Sequence, residues 1–216
     1  MAEGVGAPDI GLRERKKRRT RATLVDAAIE LCARQGYEHT TVEQIAAQAD
    51  VSPRTFSRYF ASKEAVLLTL LDDFAAAVAD RLAALPAEMS PLEALYRSHV
   101  DVLRAVTALD NPNLSPDRIA TMLRILNSTE SLRLAAAEFR SDGVLEALAA
   151  RMGLQAGDRT VRIALAVSSS VIATACYDLI DDVDGQPLGP DLMADRIDDS
   201  FRRLLSVTAE LPRSRP

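Results

Sequence analysis

The residues best suited to a chemical task are short polar and basic side chains at positions 53 to 58. They are Pro53, Arg54, Thr55, Ser57 and Arg58. If this stretch is a helix, Phe56, Tyr59 and Phe60 fall on its other face and are expected to be buried. Hydroxyl and guanidinium groups at this spacing can bond base edges and phosphates in the major groove of DNA. We therefore interpret the outward face as a contact surface for nucleic acid.

Two short helices joined by a tight corner are expected to present that face. Thr41 and Gln44 have the spacing of a capping box, which predicts the start of the first helix. Ser52 followed by Pro53 predicts the start of the second. Asp50 lies at the corner, where a left-handed backbone is needed and Asp tolerates it. Small Ala46 allows the two helices to cross closely, so the pattern predicts a helix-turn-helix.

A first helix is predicted over about residues 15–34, with an apolar stripe from Leu24 to Cys32 and Gly36 as its C-terminal signal. Seven basic residues with one acid occupy positions 13 to 21 and include Arg18 and Arg19. Composition alone allows two interpretations of this run. It is a solvated arm, or it meets phosphates or the minor groove beside the second helix of the motif.

Charge is distributed unevenly along the 216 residues. The net charge is −5, with 48% hydrophobic and 4% aromatic residues, which favours an all-helical soluble protein. Residues 1–65 hold 11 Lys and Arg against 9 Asp and Glu, whereas residues 66–216 hold 15 against 22. A mildly basic head on an acidic body suits a protein that touches DNA with one end.

No pattern of catalytic residues is found. His39 and His99 are isolated, so neither a metal site nor a cofactor is expected. Cys32 and Cys176 lie in apolar helical patterns and are interpreted as buried free thiols in a reducing cytoplasm. There is no apolar signal segment and no run of membrane-spanning length, so a cytoplasmic location without a membrane partner is expected. The protein is not expected to be an enzyme.

The body after the motif is predicted to be helical throughout. One long helix should run from Lys63 to about Leu82. The later helices are expected at about 91–110, 116–127, 129–152, 158–181 and 190–209, which gives about nine in all. A mostly apolar middle layer with scattered polar groups suits either a ligand cavity or a filled core. Its candidate ligand-binding residues are Leu95, His99, Leu103, Met122, Leu126 and Phe139.

The chain resembles the TetR (tetracycline-repressor) family over roughly residues 15 to 75. The resemblance rests on Thr40-Thr41, the VEQIAAQADVS stretch, the TFSRYF segment and Ser62-Lys63-Glu64. It implies a DNA-binding domain over 13–63 and a ligand-binding and dimerisation domain over 64–212, while the Gly, Ala and Pro content of residues 1–12, without periodicity, predicts a disordered arm. It also implies a homodimer joined through the last two long helices as a four-helix bundle.

The function expected from residues and resemblance together is that of a ligand-responsive regulator, most often a repressor, on a palindromic DNA operator. Arg54 and Arg58 would contact guanines, with Pro53, Thr55 and Ser57 beside them. The phosphate contacts would come from Arg18, Arg19, Thr40, Thr41, Tyr59 and Lys63. The effector would be small and apolar, and a weak similarity of the C-terminal domain suggests a fatty-acyl thioester. Two alternatives stay open: an all-α adaptor without specific DNA readout, and a TetR-type activator.

Overall fold

The protein is all-α across the residues described by a computed structural model, which are 11–109, 111 and 114–209. The α-helices in this part of the chain are α1 (Leu12–Gln35), α2 (Val42–Gln48), α3 (Pro53–Tyr59), α4 (Lys63–Leu67), α5 (Leu70–Ala84), α6 (Pro91–Ala105), α7 (Pro116–Asn127), α8 (Glu130–Glu138), α9 (Asp142–Met152), α10 (Arg159–Cys176) and α11 (Pro190–Ala209), and a short 3-10 helix (Val106–Ala108) follows α6. The predicted fold class is confirmed. The chain forms two compact units, which meet in sequence at Leu67 and Leu68. Residues 1–10 of the expected arm lie outside the described residues, and Leu12 already belongs to α1.

The first unit is built around α1, which packs against α2 and α4, while α2 packs against α3. Its centre contains Leu24, Ala28, Ile45 and Phe56, all with almost no exposed surface. These are the apolar positions that helical periodicity selects. Gly36 follows α1 with a φ of 83°, a left-handed value that glycine adopts without a steric penalty.

Local capping chemistry determines where α2 and α3 begin. The Thr41 hydroxyl accepts a hydrogen bond from the backbone N–H of Gln44, and the Gln44 side chain accepts one from the N–H of Thr41. Ser52 Oγ accepts from the N–H of Thr55 at 3.1 Å. Asp50 has a φ of 53°, so the corner takes the predicted left-handed conformation. The helix-turn-helix geometry is confirmed at each of these positions.

Two helices that were expected to be continuous are each interrupted. The helix expected from Lys63 to Leu82 ends at Leu67, and α5 begins at Leu70 after a turn with bonds between residues three apart. The helix expected over 129–152 is broken between α8 and α9, where Ser141 Oγ accepts from the N–H of Val144 and starts α9. Both breaks explain why about nine helices were expected and eleven α-helices are found in the described residues.

The second unit packs α5 against α6 and α9, and α11 against α6 and α10. Side chains join these helices at their ends. Arg81 pairs with Asp101 at 2.5 Å between α5 and α6. Arg151 on α9 donates to the carbonyls of Leu85 at 3.2 Å and Met89 at 3.0 Å. Such bonds satisfy carbonyl groups that have no partner within a helix.

Helix α10 is the least covered of the long apolar helices. Its length and composition alone would allow it to cross a membrane, yet only 22% of this segment is buried within the chain. Helix α11, one of the two helices expected to meet a second subunit, buries only part of its apolar face within the chain. Met193, Ile197 and Phe201 are buried within the chain, whereas Leu205 is 66% exposed. The exposed part of both helices therefore lacks an internal partner among the described residues.

Candidate nucleic-acid interface and ligand cavity

The outward face of α3 is open to solvent. Pro53, Arg54, Ser57 and Arg58 are exposed and Thr55 is half-buried. Phe56 and Phe60 are buried on the other side, with ring centroids 5.7 Å apart, and Tyr59 is half-buried. Neither guanidinium on this face donates a hydrogen bond to the described residues, although that of Arg58 lies 5.3 Å from the centre of the Tyr59 ring. The face is therefore free to bond an external partner.

The basic run is part of α1 and is exposed. Arg18 and Arg19 project from this helix, and Arg18 forms a loose ion pair of 3.7 Å with Glu14. The guanidinium of Arg21 lies 5.3 Å from the centre of the Phe60 ring, at the end of α3. Exposed ion pairs of this kind are weak, so they leave the basic groups available for phosphates.

Two residues expected to contact phosphates are instead engaged inside the first unit. Thr40 is 1% exposed, and its hydroxyl donates to the carbonyl of Gly36 at 2.8 Å. The Lys63 ammonium donates to the carbonyls of Tyr37 and Thr40 at 3.0 and 3.1 Å. It also lies 3.9 Å from the centre of the Tyr37 ring. Because these groups are already bonded, they hold the loop before α2 against the start of α4.

That internal contact includes a carboxylate. The Tyr37 hydroxyl donates to Glu64, next to Lys63 in sequence. Burial acts to raise the pKa of Glu64, but hydrogen bonds from Tyr37 and Ser62 outweigh it and leave the pKa below its usual value. Burial raises the pKa of the nearby Cys32 thiol, which is consistent with a buried free thiol. The cluster is a packed structural joint within the first unit.

A cavity of about 280 Å³ lies wholly within the second unit. Helices α5, α7, α8, α9 and α10 contribute to its wall, which is mainly apolar. Leu134 of α8 lines the cavity and is also 58% exposed, so α8 borders its opening. A mostly apolar pocket with a few polar groups is the usual form of a small-molecule site.

The structure brings four of the six predicted ligand-binding residues to this cavity. They are His99, Met122, Leu126 and Phe139. Leu95 and Leu103 do not line it, because both belong to the filled core with at most 1% exposure. Both alternatives for the middle layer are thus realised: one part of it is core and another part surrounds a cavity.

Burial disfavours the charged forms of two titratable residues at the cavity, His99 and Cys176. Desolvation lowers the pKa of His99, whose Nδ1 lies 2.7 Å from the carbonyl oxygen of Leu95. Burial, followed by the charge of Asp178, raises the pKa of the Cys176 thiol to about 12. Within the described residues, no three His, Cys, Asp or Glu side chains come together as a candidate metal site.

Sequence reasoning missed several polar residues that line the cavity, among them Asn127, Arg133 and Ser168. The Asn127 amide donates to the carbonyls of Cys176 and Leu179 at 2.8 and 2.9 Å. The described part of the chain offers no hydrogen-bond partner for Ser168 Oγ. A polar side chain within an apolar helical stripe was the available signal, and it is present at Asn127 and Ser168.

The exposed basic face of α3, set against α2 by a capped corner, defines a helix-turn-helix DNA-binding regulator. Residues 24–70 match the family model described as bacterial regulatory proteins, tetR family. The chain belongs to this TetR family of transcriptional regulators.

A relative from Streptomyces glaucescens, the HTH-type transcriptional regulator TcmR, is 40% identical over 151 residues, which are 68% of this chain and 67% of TcmR. The fatty acid metabolism regulator protein of Bacillus subtilis (strain 168) is 37% identical over 59 residues, which are 27% of this chain and 30% of that protein. The crystal structure of Thermus thermophilus FadR, a TetR family repressor in complex with lauroyl-CoA, is similar with a TM-score of 0.52 and 24% identity. That match covers 91% of this chain and 97% of FadR, and it supports the fold.

Proposed function

We propose that the chain acts as a cytoplasmic homodimer that represses transcription from a palindromic operator and is released by a small, mainly apolar effector. Each subunit would place α3 in a major groove, and the two-fold symmetry of the dimer would be matched by the operator. The observation that carries the proposal is the exposed polar face of α3, with two arginines that donate no hydrogen bond to the described residues.

Within that face, Arg54 and Arg58 are the candidates for bidentate contacts to guanine, because guanidinium matches the two acceptors of that base. Thr55 and Ser57 would bond neighbouring base edges, and Pro53 would begin the helix close to the groove. Phosphate contacts are assigned to Arg18 and Arg19 on α1 and to Thr41 and Tyr59. Phosphate bonds of this kind fix the position of the protein on the duplex without reading its sequence.

Thr40 and Lys63 would support DNA binding without contacting DNA. Their side chains bond the interior of the first unit, so their contribution to DNA binding would be indirect. By fixing the loop between α1 and α2, they would hold Thr41 at the start of α2. A positioning role of this kind requires no phosphate at either side chain.

The dimer is supported by the apolar surface that α10 and α11 leave uncovered. Ile163 of α10 and Leu205 of α11 are more than half exposed, as is Tyr177, which directly follows α10. Pairing these helices with those of a second copy would bury that surface in a four-helix bundle. Such pairing also explains, more simply than a membrane does, why the apolar helix α10 is only 22% buried within the chain.

The effector would bind in the cavity of the second unit. Leu71, Phe74 and Ala75 of α5 line that cavity, and α5 follows α4 in sequence after two residues. A ligand that shifts α5 would act on the helix covalently joined to the DNA-binding unit. A fatty-acyl thioester is one candidate, supported by the complex of Thermus thermophilus FadR with lauroyl-CoA.

The test is a footprint of the purified full-length protein on the DNA upstream of its own gene. The expected result is one protected, roughly two-fold symmetric site that is lost on addition of an effector. Protection without symmetry would contradict the dimeric operator, and equal affinity for random DNA would contradict specific recognition. An unchanged footprint across a panel of apolar ligands would contradict control by an effector.

A further inference from the structure

The cavity is positively charged within a unit that is otherwise acidic. Among the described residues that line it, Arg133 and Arg140 are charged and none is Asp or Glu. Arginines elsewhere in this unit do face carboxylates, as Arg81 faces Asp101. From residue 66 onward the chain carries 22 Asp and Glu against 15 Lys and Arg. Acidic side chains are thus abundant in the unit and missing from the cavity wall.

Arg133 is incompletely bonded. Its Nη1 donates to the carbonyl of Asn127 at 2.8 Å, and its guanidinium lies 4.8 Å from the centre of the Tyr177 ring. Its Nε is buried without a partner, and no carboxylate in the described part of the chain pairs with it. Arg151 also has an unpartnered Nε, but it donates to four carbonyls and does not line the cavity. Arg133 as a whole is half-buried, and a half-buried cation that lines a cavity is stabilised by an anion placed there.

The hydroxyl of Ser168, in a second part of the cavity, makes no hydrogen bond with the described residues. It is 1% exposed, and its Oγ has no partner among the described residues. Ser170 and Thr174 on the same helix donate to the carbonyls four residues before them, at 2.9 and 2.8 Å. Ser168 makes no such hydrogen bond to the carbonyl four residues before it, although its position in α10 permits one. Its hydroxyl is therefore available to a ligand.

Ser168 and the Tyr177 ring that Arg133 contacts lie at different levels along the axis of α10. Ser168 precedes Tyr177, on which Arg133 rests, by nine residues, which is roughly 13 Å along a helix axis. The wall also includes apolar side chains such as Phe74, Met122 and Leu126. His99 and Cys176 add no charge, because burial disfavours the ionised form of each. A ligand that satisfies both ends must be elongated and apolar in the middle.

We propose that the effector is an elongated organic anion whose acidic group binds Arg133 and whose apolar body carries a further oxygen that bonds Ser168. This inference rests on the proposed effector role of the cavity and specifies the chemistry of the ligand. A neutral or cationic apolar molecule would leave the guanidinium of Arg133 without a counter-charge. An anion without the distant oxygen would leave the Ser168 hydroxyl unpaired.

The test compares matched probes by isothermal titration calorimetry on the full-length protein, below the concentration at which the probes form micelles. Decanoate, decan-1-ol and decylammonium share a ten-carbon chain and carry an anionic, a neutral and a cationic headgroup, and 10-hydroxydecanoate adds a distant oxygen. Decanoate is expected to bind at least about tenfold more tightly than decan-1-ol, because hydrogen bonds to charged groups are the stronger ones. Decylammonium is expected to bind most weakly. Equal binding of the three, tighter binding of the amine or alcohol, or no binding of any would overturn the proposal.

Variants test whether Arg133 causes the preference for an anion and whether Ser168 bonds the distant oxygen. Arg133→Gln should reduce decanoate affinity to that of decan-1-ol without changing the affinity for the alcohol, whereas Arg124→Gln, at an exposed site outside the cavity, should change neither. Ser168→Ala should remove the advantage of 10-hydroxydecanoate over decanoate. A charge preference that survives Arg133→Gln would overturn the assignment. If that variant does not fold, the wild-type series and Arg133→Lys, which should retain the preference for decanoate, decide the question.

A gel shift with the same probes separates the two proposals. If decanoate binds through Arg133 and leaves DNA occupancy unchanged, the anion site stands and the effector role fails. If DNA is released equally well by the alcohol and the carboxylate, the effector role stands and the anion site fails.

Discussion

Replacing Lys63 with Met tests whether this residue acts from inside the first unit. The substitution keeps a side chain of similar length and removes the ammonium, which donates to the carbonyls of Tyr37 and Thr40. Hydrogen bonds from charged donors contribute about 1.5–3 kcal/mol each, and the value here belongs at the low end because Lys63 is half-buried. The contact with the Tyr37 ring adds about 0.5–1 kcal/mol. Releasing the ordered lysine returns up to about 2 kcal/mol of side-chain entropy.

The net expectation is a loss of about 2 kcal/mol in the local stability of the joint between the α1–α2 loop and α4, from the contributions above. Hydrogen exchange followed by mass spectrometry measures this locally, which matters in a chain with two compact units. Amides of residues 37–41 and 63–67 should exchange about 30-fold faster, since about 1.4 kcal/mol corresponds to a factor of ten. Arg54→Met, at an exposed site without such bonds, is the control and should leave exchange unchanged.

An internal role for Lys63 is refuted if Lys63→Met leaves exchange in both segments unchanged. It is also refuted if the variant loses DNA affinity with one fewer unit in its salt dependence, which is the signature of a lost phosphate contact. Internal bonding predicts faster exchange, with the salt dependence preserved.

Two further perturbations concern the second unit. Because burial lowers the pKa of His99 below its usual 6.5, the unfolded chain binds the proton more readily, and stability should fall as the pH drops below about 6.5. The loss is at most about 1.4 kcal/mol per pH unit, and His99→Gln should lack it. If the free energy of unfolding in urea changes equally in the wild type and the variant between pH 7 and pH 5, the effect assigned to His99 is wrong. Leu205→Glu places a charge on the exposed surface of α11 and should convert the proposed dimer to a monomer in sedimentation velocity. Leu12→Glu, at another exposed leucine, should not, and a dimer that survives Leu205→Glu would contradict the assigned interface.

Local signals made the DNA-binding unit predictable from sequence. The capping box of Thr41 and Gln44, the cap at Ser52 and the left-handed Asp50 depend on residues at most three apart, and all are found. The interruption before α9 also has a local signal, the Ser141 cap. It was missed because the apolar periodicity continues across it and suggests one helix.

Features that depend on distant residues could not be predicted in the same way. Lys63 bonds the carbonyl of a residue 26 positions away, and nothing in its own surroundings indicates an internal role. Periodicity placed Leu95 and Met122 in the same apolar layer, but it cannot say which of them faces packed side chains and which faces a cavity. Arg133 lies on a short helix with one buried residue, where a charge ordinarily indicates a solvated face.

Titrating Arg58→Ala against operator and random DNA at fixed salt measures whether the outward face of α3 reads DNA sequence. The variant should lose about 1–3 kcal/mol of affinity for the operator and much less for random DNA, as expected for a bidentate base contact. Arg124→Ala should match the wild type on both. Equal losses on operator and random DNA, or no loss on either, would contradict base recognition by this face.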